Sequence, residues 1–567
     1  MTNTPQFDAA LDAMFHAFVP HERTCRITGE RFSVSADDIA MYRLLCVPPP
    51  TTSPWYRTLV RAAFFPYRLR SSFCAKTQQS FVGTYRSDSP FTVYRPEVWW
   101  SDAWDPKEYG RTAQPDAPFL PQWYALFRAV PRPGSSRDPE SVNSEYTVGG
   151  MQFKDCYYVI GGIKAEDVAY TIAAEWSRSC LDGVWYEHAE RCYDSVRLCD
   201  CYQTVGSINV THGRDVAFCY DGSSIEHCFG GFNLRHRTHV FLDEQLDAAT
   251  YTQRRAALRL GHRPTYERFQ EWFREGYRDR AMHAMVRREK CERCVGSSIE
   301  SCSDAYFAFC ASECTNVRYV EGSSQVRDSA EISGSAAVER SYELAGAAHT
   351  NRAICVSVIR SGRDIEYCVD CHHCEHCFGC VGLRGAKFCI LNQQYTEDEY
   401  WDTVDRLKTA MLARGEYGEF FPAAYAPVPF EDSRASYGYA FTRAERTHLQ
   451  FWTVGDEAPS DGGPSIPPDD IRSASPEILA QSFRCTESGR SFRITPQELS
   501  FLQREDLPLP TRHPEVRMEQ RYRLLPTTMR LYERACTQCG TKDLSDIPPD
   551  DPRKHVLCLT CYRKAIG

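Results

Sequence analysis

Through the middle of the chain, apolar and aromatic residues come in short groups: Cys156-Tyr157-Tyr158, Ala169-Tyr170, Cys192-Tyr193, Cys201-Tyr202 and Cys219-Tyr220. A second stretch continues with Cys302, Ala308-Phe309-Cys310, Val317-Arg318-Tyr319 and Cys368. The steps between groups are often about 8–13 residues, and Ser, Gly, Asp, Asn and Glu fill the intervals. Short strands joined by tight polar turns predict the stacked rungs of a β-solenoid. A sandwich, the competing all-β arrangement, needs fewer and longer strands. Helix-like segments follow at 246–286 and 396–414. The second opens on Thr396 with Glu399 three positions later, a capping-box spacing. It closes before Gly415, a residue suited to the left-handed conformation past a helix end.

Two internal repeats organise the chain. At a constant offset of 460, Cys25, Gly29, Phe32, Pro48, Pro50, Pro54 and Arg57 match Cys485, Gly489, Phe492, Pro508, Pro510, Pro514 and Arg517. Both segments run on to a further cysteine, Cys74 and Cys536, so the two ends read as copies of one module. At an offset of 149, Cys219, Asp221, His227, Cys228, Phe229, Gly230, Leu234 and Arg235 match Cys368, Asp370, His376, Cys377, Phe378, Gly379, Leu383 and Arg384. The stretch 455–470 is rich in Pro, Gly and acid and reads as a linker. The predicted order is a degenerate ribbon-like module (1–130), solenoid segment 1 (140–245), a helical connector (246–290), solenoid segment 2 (291–392), a helical or irregular segment (393–454), a linker (455–480) and a C-terminal ribbon module (481–567).

Composition narrows the class. In 567 residues, 42% are hydrophobic and 25% charged, which is globular and excludes wholesale disorder. Sixty-six basic against 75 acidic residues give a net charge of -9, so the whole chain is no polycation for coating nucleic acid. Residues 481–567 differ: 15 basic against 11 acidic give +4, against -13 for the rest. The 27 cysteines are an odd number, so at least one thiol stays outside any internal disulfide. The first 25 residues lack a signal-peptide pattern, and no stretch approaches 18 uninterrupted apolar residues. A soluble, intracellular protein is expected, its cysteines thiols or metal ligands.

The sharpest chemical motif is Cys536-x2-Cys539 followed by Cys558-x2-Cys561. Two such knuckles match the four-cysteine zinc pattern, in which four thiolates close a tetrahedron and leave no position for a reacting water. One structural Zn2+ is therefore expected there. The N-terminal module keeps single cysteines, Cys25 and Cys74, which read as core thiols. Its very aromatic segment 99–111 reads as core taking the place of a lost metal, with a partner-binding face as the alternative.

Cys368, Cys371, Cys374, Cys377 and Cys380 step by three, with His372, His373 and His376 between them. Zinc or iron–sulfur ligation is one reading, and a second metal at 368–380 stays open. Packing inside tight turns is the other, and the repeat favours it: the matching positions are Cys219, Gly222, Ile225, Cys228 and Gly231, and isoleucine cannot bind a metal. Cys291/Cys294 and Cys199/Cys201 lack partner pairs and read as ordinary thiols. No nucleophile elbow, phosphate loop, dinucleotide fingerprint or zincin helix occurs, and no carboxylate pair stands out for glycoside chemistry.

Several runs, CRITGERFSVSADDIAMY (25–42), SPFTVYRPEVWWSDAWDPKEYG (89–110), HCFGCVGLRGAKFCILNQQYTEDEY (376–400) and CTESGRSFRIT (485–495), carry a resemblance nearly end to end. They resemble a cysteine-rich zinc-ribbon family found in environmental microbial and large-virus genomes. The resemblance implies paired-cysteine ribbons at both ends. This chain departs from it by losing most cysteines at 25–28, 53–56, 74–77, 95–98, 485–488 and 513–516. The family implies no activity.

The expectation is a mainly β, multidomain chain: two tandem cysteine-rich β-solenoid segments with short helical insertions, flanked by duplicated zinc-ribbon-like modules. Its expected role is non-enzymatic, a zinc-stabilised scaffold or component of a larger assembly such as a virion, with protein partners. A nucleic-acid-associated ribbon protein acting through 481–567 is the first alternative. A metal or redox enzyme using 368–380 is the second.

Overall fold

The computed structural model describes residues 3–567 apart from 139, 187–188, 199, 290, 292–293, 295–298, 301–310, 316–317, 319–322, 333–336, 456–465 and 526–529. Cys199, Cys302, the group 308–310, Val317, Tyr319 and residues 456–465 of the expected linker lie outside the described residues. Strand accounts for 32% and helix for 29%, and among the described residues no sheet closes into a barrel. The chain forms two compact units. One holds residues 1–134, 286–454 and 526–531; the other holds 135–285, 455–525 and 532–567.

Each unit contains a nine-stranded sheet whose main pairings are parallel at a spacing of twelve residues. In the second unit Tyr157 faces Ala169, Ala169 faces Leu181, and Leu181 faces Tyr193. In the first unit Val326 faces Val338, and Ile365, Cys377 and Cys389 stand in succession. The two ladders end alike, on an antiparallel pairing of Val240 with Gln245 and of Cys389 with Gln394. These short final strands cover an edge that would otherwise present unpaired amides.

A three-residue rhythm underlies the twelve-residue step. From Gln152 to Trp185 every third residue is left-handed, with φ between 49° and 69°. From Arg340 to Leu391 every third residue is likewise left-handed, with φ between 47° and 95°. Each left-handed residue turns the chain, so the 25-residue strands Ile208–Phe232 and Tyr342–Glu366 bend at every third position. For an L-residue this conformation costs roughly 1–2 kcal/mol, and stacking of successive coils must offset it. The residue after each corner packs into a common interior. Cys156, Val159, Ala165, Val168, Ala174 and Cys180 belong to one such core, and Val356, Ile359, Ile365, Cys368, Cys371 and Cys374 to the other.

Outward positions pair with residues twelve places on. Lys154 and Arg178 hold Glu166 at 2.6 and 2.9 Å, Asn143 donates to Asp155, and His227 meets Asp215 at 2.8 Å. Exposed pairs of this kind contribute little each, about 0–1 kcal/mol. They align neighbouring strands as cross-strand pairs do.

The helix after the second ladder, Glu397–Ala413, begins with the expected capping box of Thr396 and Glu399 and is followed by left-handed Gly415. After the first ladder come Ala248–Ala256 and Arg263–Asp279. The N-terminal module packs within its unit against the second ladder. Phe119 meets Tyr367 and Phe378, and the expected aromatic core is present, with Trp99 fully buried and Trp104 nearly so. The C-terminal module packs within the other unit against the first ladder.

Both packings are pinned by buried charge at ladder corners. In one unit Arg57 and Arg61, on the helix Pro54–Ala63, engage Glu331 and Glu343 with all four side chains at most 3% exposed. In the other, Arg517 and Arg521, on Pro514–Tyr522, engage Asp182 and Asp194, with Glu498 2.8 Å from Arg517. Arginines and acids correspond at the sequence offsets 460 and 149. Burial opposes the charge on Arg57 and Arg517, yet the adjoining carboxylates hold both guanidinium groups above their ordinary range. Among the described residues no helix is long and apolar enough to cross a membrane.

Candidate metal centre

Cys536 follows the strand Tyr532–Ala535, which pairs antiparallel with Lys542–Ser545. The turn between them is closed by the Gly540 N–H donating to the Cys536 carbonyl at 2.9 Å, with Gly540 at φ +74°. This left-handed step lets Cys536 and Cys539 share one side of the hairpin, a conformation glycine adopts without steric cost. Thr537 N–H donates to the Val556 carbonyl, tying the hairpin to the strand His555–Leu557. Cys558 then stands at the N-cap of the helix Leu559–Ile566, and Cys561 lies in its first turn. All four sulfurs lie within 4.8 Å of one another.

The Cys539 and Cys558 sulfurs are 3.8 Å apart. A tetrahedron with metal–sulfur bonds of ~2.3 Å has edges of about 3.8 Å, so the donor set fits a tetrahedral thiophilic ion. Cys536 is buried, Cys558 and Cys561 half-buried, and Cys539 exposed. A hydrogen bond from Thr541, with further ones from Cys536 and Cys561, holds the Cys539 thiol down to about 6. Thiolate is the ligating form of cysteine. The four sequence-predicted ligands are thus brought together into a cluster that can hold a metal ion.

Among the described residues the same backbone device occurs three more times without the ligands. Gly29, Gln78 and Gly489 donate to the carbonyls of Cys25, Cys74 and Cys485 at 3.0, 2.9 and 3.0 Å, and each is left-handed. Helices starting at Pro54, Pro96 and Pro514 follow, as Leu559 follows Cys558. Where the fourth copy has Cys539, Cys558 and Cys561, the others carry Thr28, Ser53 and Tyr56; Thr77, Arg95 and Val98; Ser488, His513 and Val516. The remaining sulfurs are buried and accept backbone N–H bonds from Thr28, Arg95 and Ser488 at 3.4–3.5 Å. Backbone hydrogen bonds hold these buried sulfurs at the turns, in keeping with the reading of Cys25 and Cys74 as core thiols.

Cys368, Cys371, Cys374, Cys377 and Cys380 occupy successive inward positions of the second ladder, all buried. Each S–H reaches the carbonyl two residues back, as Cys371 does to Val369 at 3.6 Å and Cys380 to Phe378 at 3.5 Å. Inward hydroxyls do the same, Ser195 to Tyr193 and Ser207 to Val205. In the other ladder a Cβ on Gly222 would fall 2.5 Å from the Ile225 side chain, so isoleucine fills the room that glycine leaves. Burial pushes Cys156 and Cys228 each up to about 11. At Cys368 burial is outweighed by hydrogen bonds from Cys371 and Cys380, which hold it down to about 6, and those from Cys371 and Cys377 hold Cys374 down to about 4. His372 is buried against Trp99 and Trp100, and burial, aided by Arg360, lowers it to about 3, so it stays neutral. Cys291 is half-buried and Cys294 buried.

Sequence reasoning missed the buried charge clusters. Arg57 and Arg517 stood in the terminal repeat, and Arg61 with Arg521 continues it at the same offset. Asp182 with Glu331 and Asp194 with Glu343 follow the central offset. Compared with known proteins, the chain matches no family model, no curated protein and no solved structure.

Proposed function

We propose that the protein is a zinc-stabilised, non-enzymatic scaffold that takes part in a larger assembly through protein partners. The observation that carries this reading is the pinning of each module to a stacked ladder by buried arginines that engage acidic side chains at the ladder corners. Such a unit offers a long, stiff surface whose outward columns are regular along its length. In this reading the ladders are β-solenoids and the terminal modules zinc ribbons, of which only the last holds Zn2+ through Cys536, Cys539, Cys558 and Cys561. A four-thiolate site saturates zinc and stabilises its module without offering a place for substrate. Intracellular assembly suits a chain rich in free thiols. The family resemblance adds a virion or similar particle as the specific setting.

The test is affinity isolation of the tagged full chain from its native source, with and without nuclease. Protein partners at fixed stoichiometry that survive nuclease are expected. Partners lost with nuclease, together with salt-dependent retention of the full chain on DNA or RNA, would replace the scaffold with the nucleic-acid reading.

A further inference from the structure

The terminal modules dock in an order that the chain's connectivity does not suggest. The N-terminal module runs directly into the first ladder, yet it packs in one unit with the second ladder. The C-terminal module follows the second ladder and packs with the first. Each module thus docks on the ladder that is not its neighbour in sequence.

The chemistry of the two clusters explains the choice. Both modules present arginines at the same two helical positions, Arg57/Arg61 and Arg517/Arg521, and both ladders offer two acids twelve residues apart at corners. The modules also carry matching acids, Asp38 and Glu498. Asp38 is held by Arg318 of the second ladder at 2.7 Å. At the offset of 149, the first ladder has buried Ala169 in place of Arg318. On the first ladder Asp38 would keep its capping bonds from Ser35 but lose this cation, and a buried carboxylate without a counter-charge is costly. Side-chain length adds to the match, since the second ladder offers Glu331 and Glu343 and the first Asp182 and Asp194. A module is therefore paired with its own ladder by attraction there and by an uncompensated charge elsewhere.

We infer that the partner these docking faces fit is a second copy of this chain, and that the protein assembles by exchanging its N-terminal module between copies. This rests on the assembly reading above. The Arg57–Arg61 cluster is the same whether module and second ladder belong to one chain or to two. Within one chain the connection runs through the whole of 135–285. Between chains it depends only on concentration, as in domain swapping. Closure within one chain wins at dilution, and exchange wins where copies are crowded.

The test uses the full-length chain with no substitution. Equal amounts of 14N- and 15N-labelled protein are unfolded together and refolded with zinc and a thiol reductant at a range of concentrations. A lysine-reactive cross-linker then joins Lys107 of the module to Lys387 of the ladder, which both meet Gln394. The expected result is a dimer whose share rises with refolding concentration and in which half of the Lys107–Lys387 links are mixed-isotope, with none in the monomer. Links of a single isotope at every concentration would overturn the exchange and leave the isolated protein partners of the scaffold reading untouched. A chain carrying Arg57→Glu and Arg61→Glu should give no mixed links. If it exchanges as readily as the unaltered chain, these arginines do not carry the recognition, and the inference fails.

Discussion

At the scale of single residues, the ladder interior is a filling problem with a small vocabulary. Inward positions take Gly, Ala, Ser, Thr, Cys, Val, Ile or Leu, with Phe153 at the start of the first ladder, and a glycine is compensated three residues away. Gly222 is filled by Ile225, Gly231 by Leu234 and Gly362 by Ile365, each within 2.4–2.6 Å of where a Cβ would stand. The second ladder meets the same demand with Cys371 and Cys374 where the first has Gly222 and Ile225. A double-mutant cycle tests this. Gly222→Cys alone should cost about 1–3 kcal/mol by overpacking, and Ile225→Cys alone about 1–3 kcal/mol by leaving a void. The double variant should lose less than either sum implies, with a coupling of about 1 kcal/mol or more, read from denaturant melts. Strict additivity would contradict the packing account. The cysteine row was legible as packing because the repeat put Ile225 opposite Cys374. The three-residue rhythm was not. Corners accept Tyr158, Lys164, Asp167 and Trp176 alike, and inward residues are too small and mixed to give a strong hydrophobic period.

At the scale of elements, pieces with local signals were readable and pieces fixed by distant contacts were not. The helix Glu397–Ala413 carried its own start and stop in Thr396, Glu399 and Gly415. The hairpin at Cys536 carried its glycine and its paired cysteines. The docking helices carried nothing that named their partners, because Arg57 gains meaning only beside Glu331. That cluster makes a pH prediction. Burial, and the like charge of Glu331 beside it, raise Glu343 to about 8, while Arg57 outweighs burial at Glu331 and lowers it. From about pH 4.5 to 8 the folded state keeps a proton on Glu343 that the unfolded chain has released, so this residue's contribution falls as pH rises. It is fully present below about 4.5 and lost above 8. Thermal melts from pH 5 to 9 should show Tm of the unit bearing Glu343 declining with pH, and Glu343→Gln should flatten the decline. Equal slopes in the two proteins would contradict the assignment.

At the scale of the whole molecule, two equivalent units are built from segments that alternate along the chain. The sequence repeats revealed the duplications, at offsets of 460 and 149, and the cysteine motif lies in the last module. They could not reveal which module meets which ladder, since equal copies satisfy both arrangements until side chains such as Arg318 and Ala169 are compared in place. The duplication also isolates the cysteine cluster: among the described residues, four hairpins share one backbone design, and of these that of Cys536 carries four thiols. Among the described residues of the ladders, the cysteines pack as small core residues.

The most direct measurement is metal content per chain of the purified native protein. The account predicts one zinc and no iron. That zinc should disappear with Cys536→Ser and Cys539→Ser and persist with Cys371→Ser and Cys374→Ser. Iron, or a second metal lost with the substitutions at 371 and 374, would contradict it and make the ladder interior a metal site.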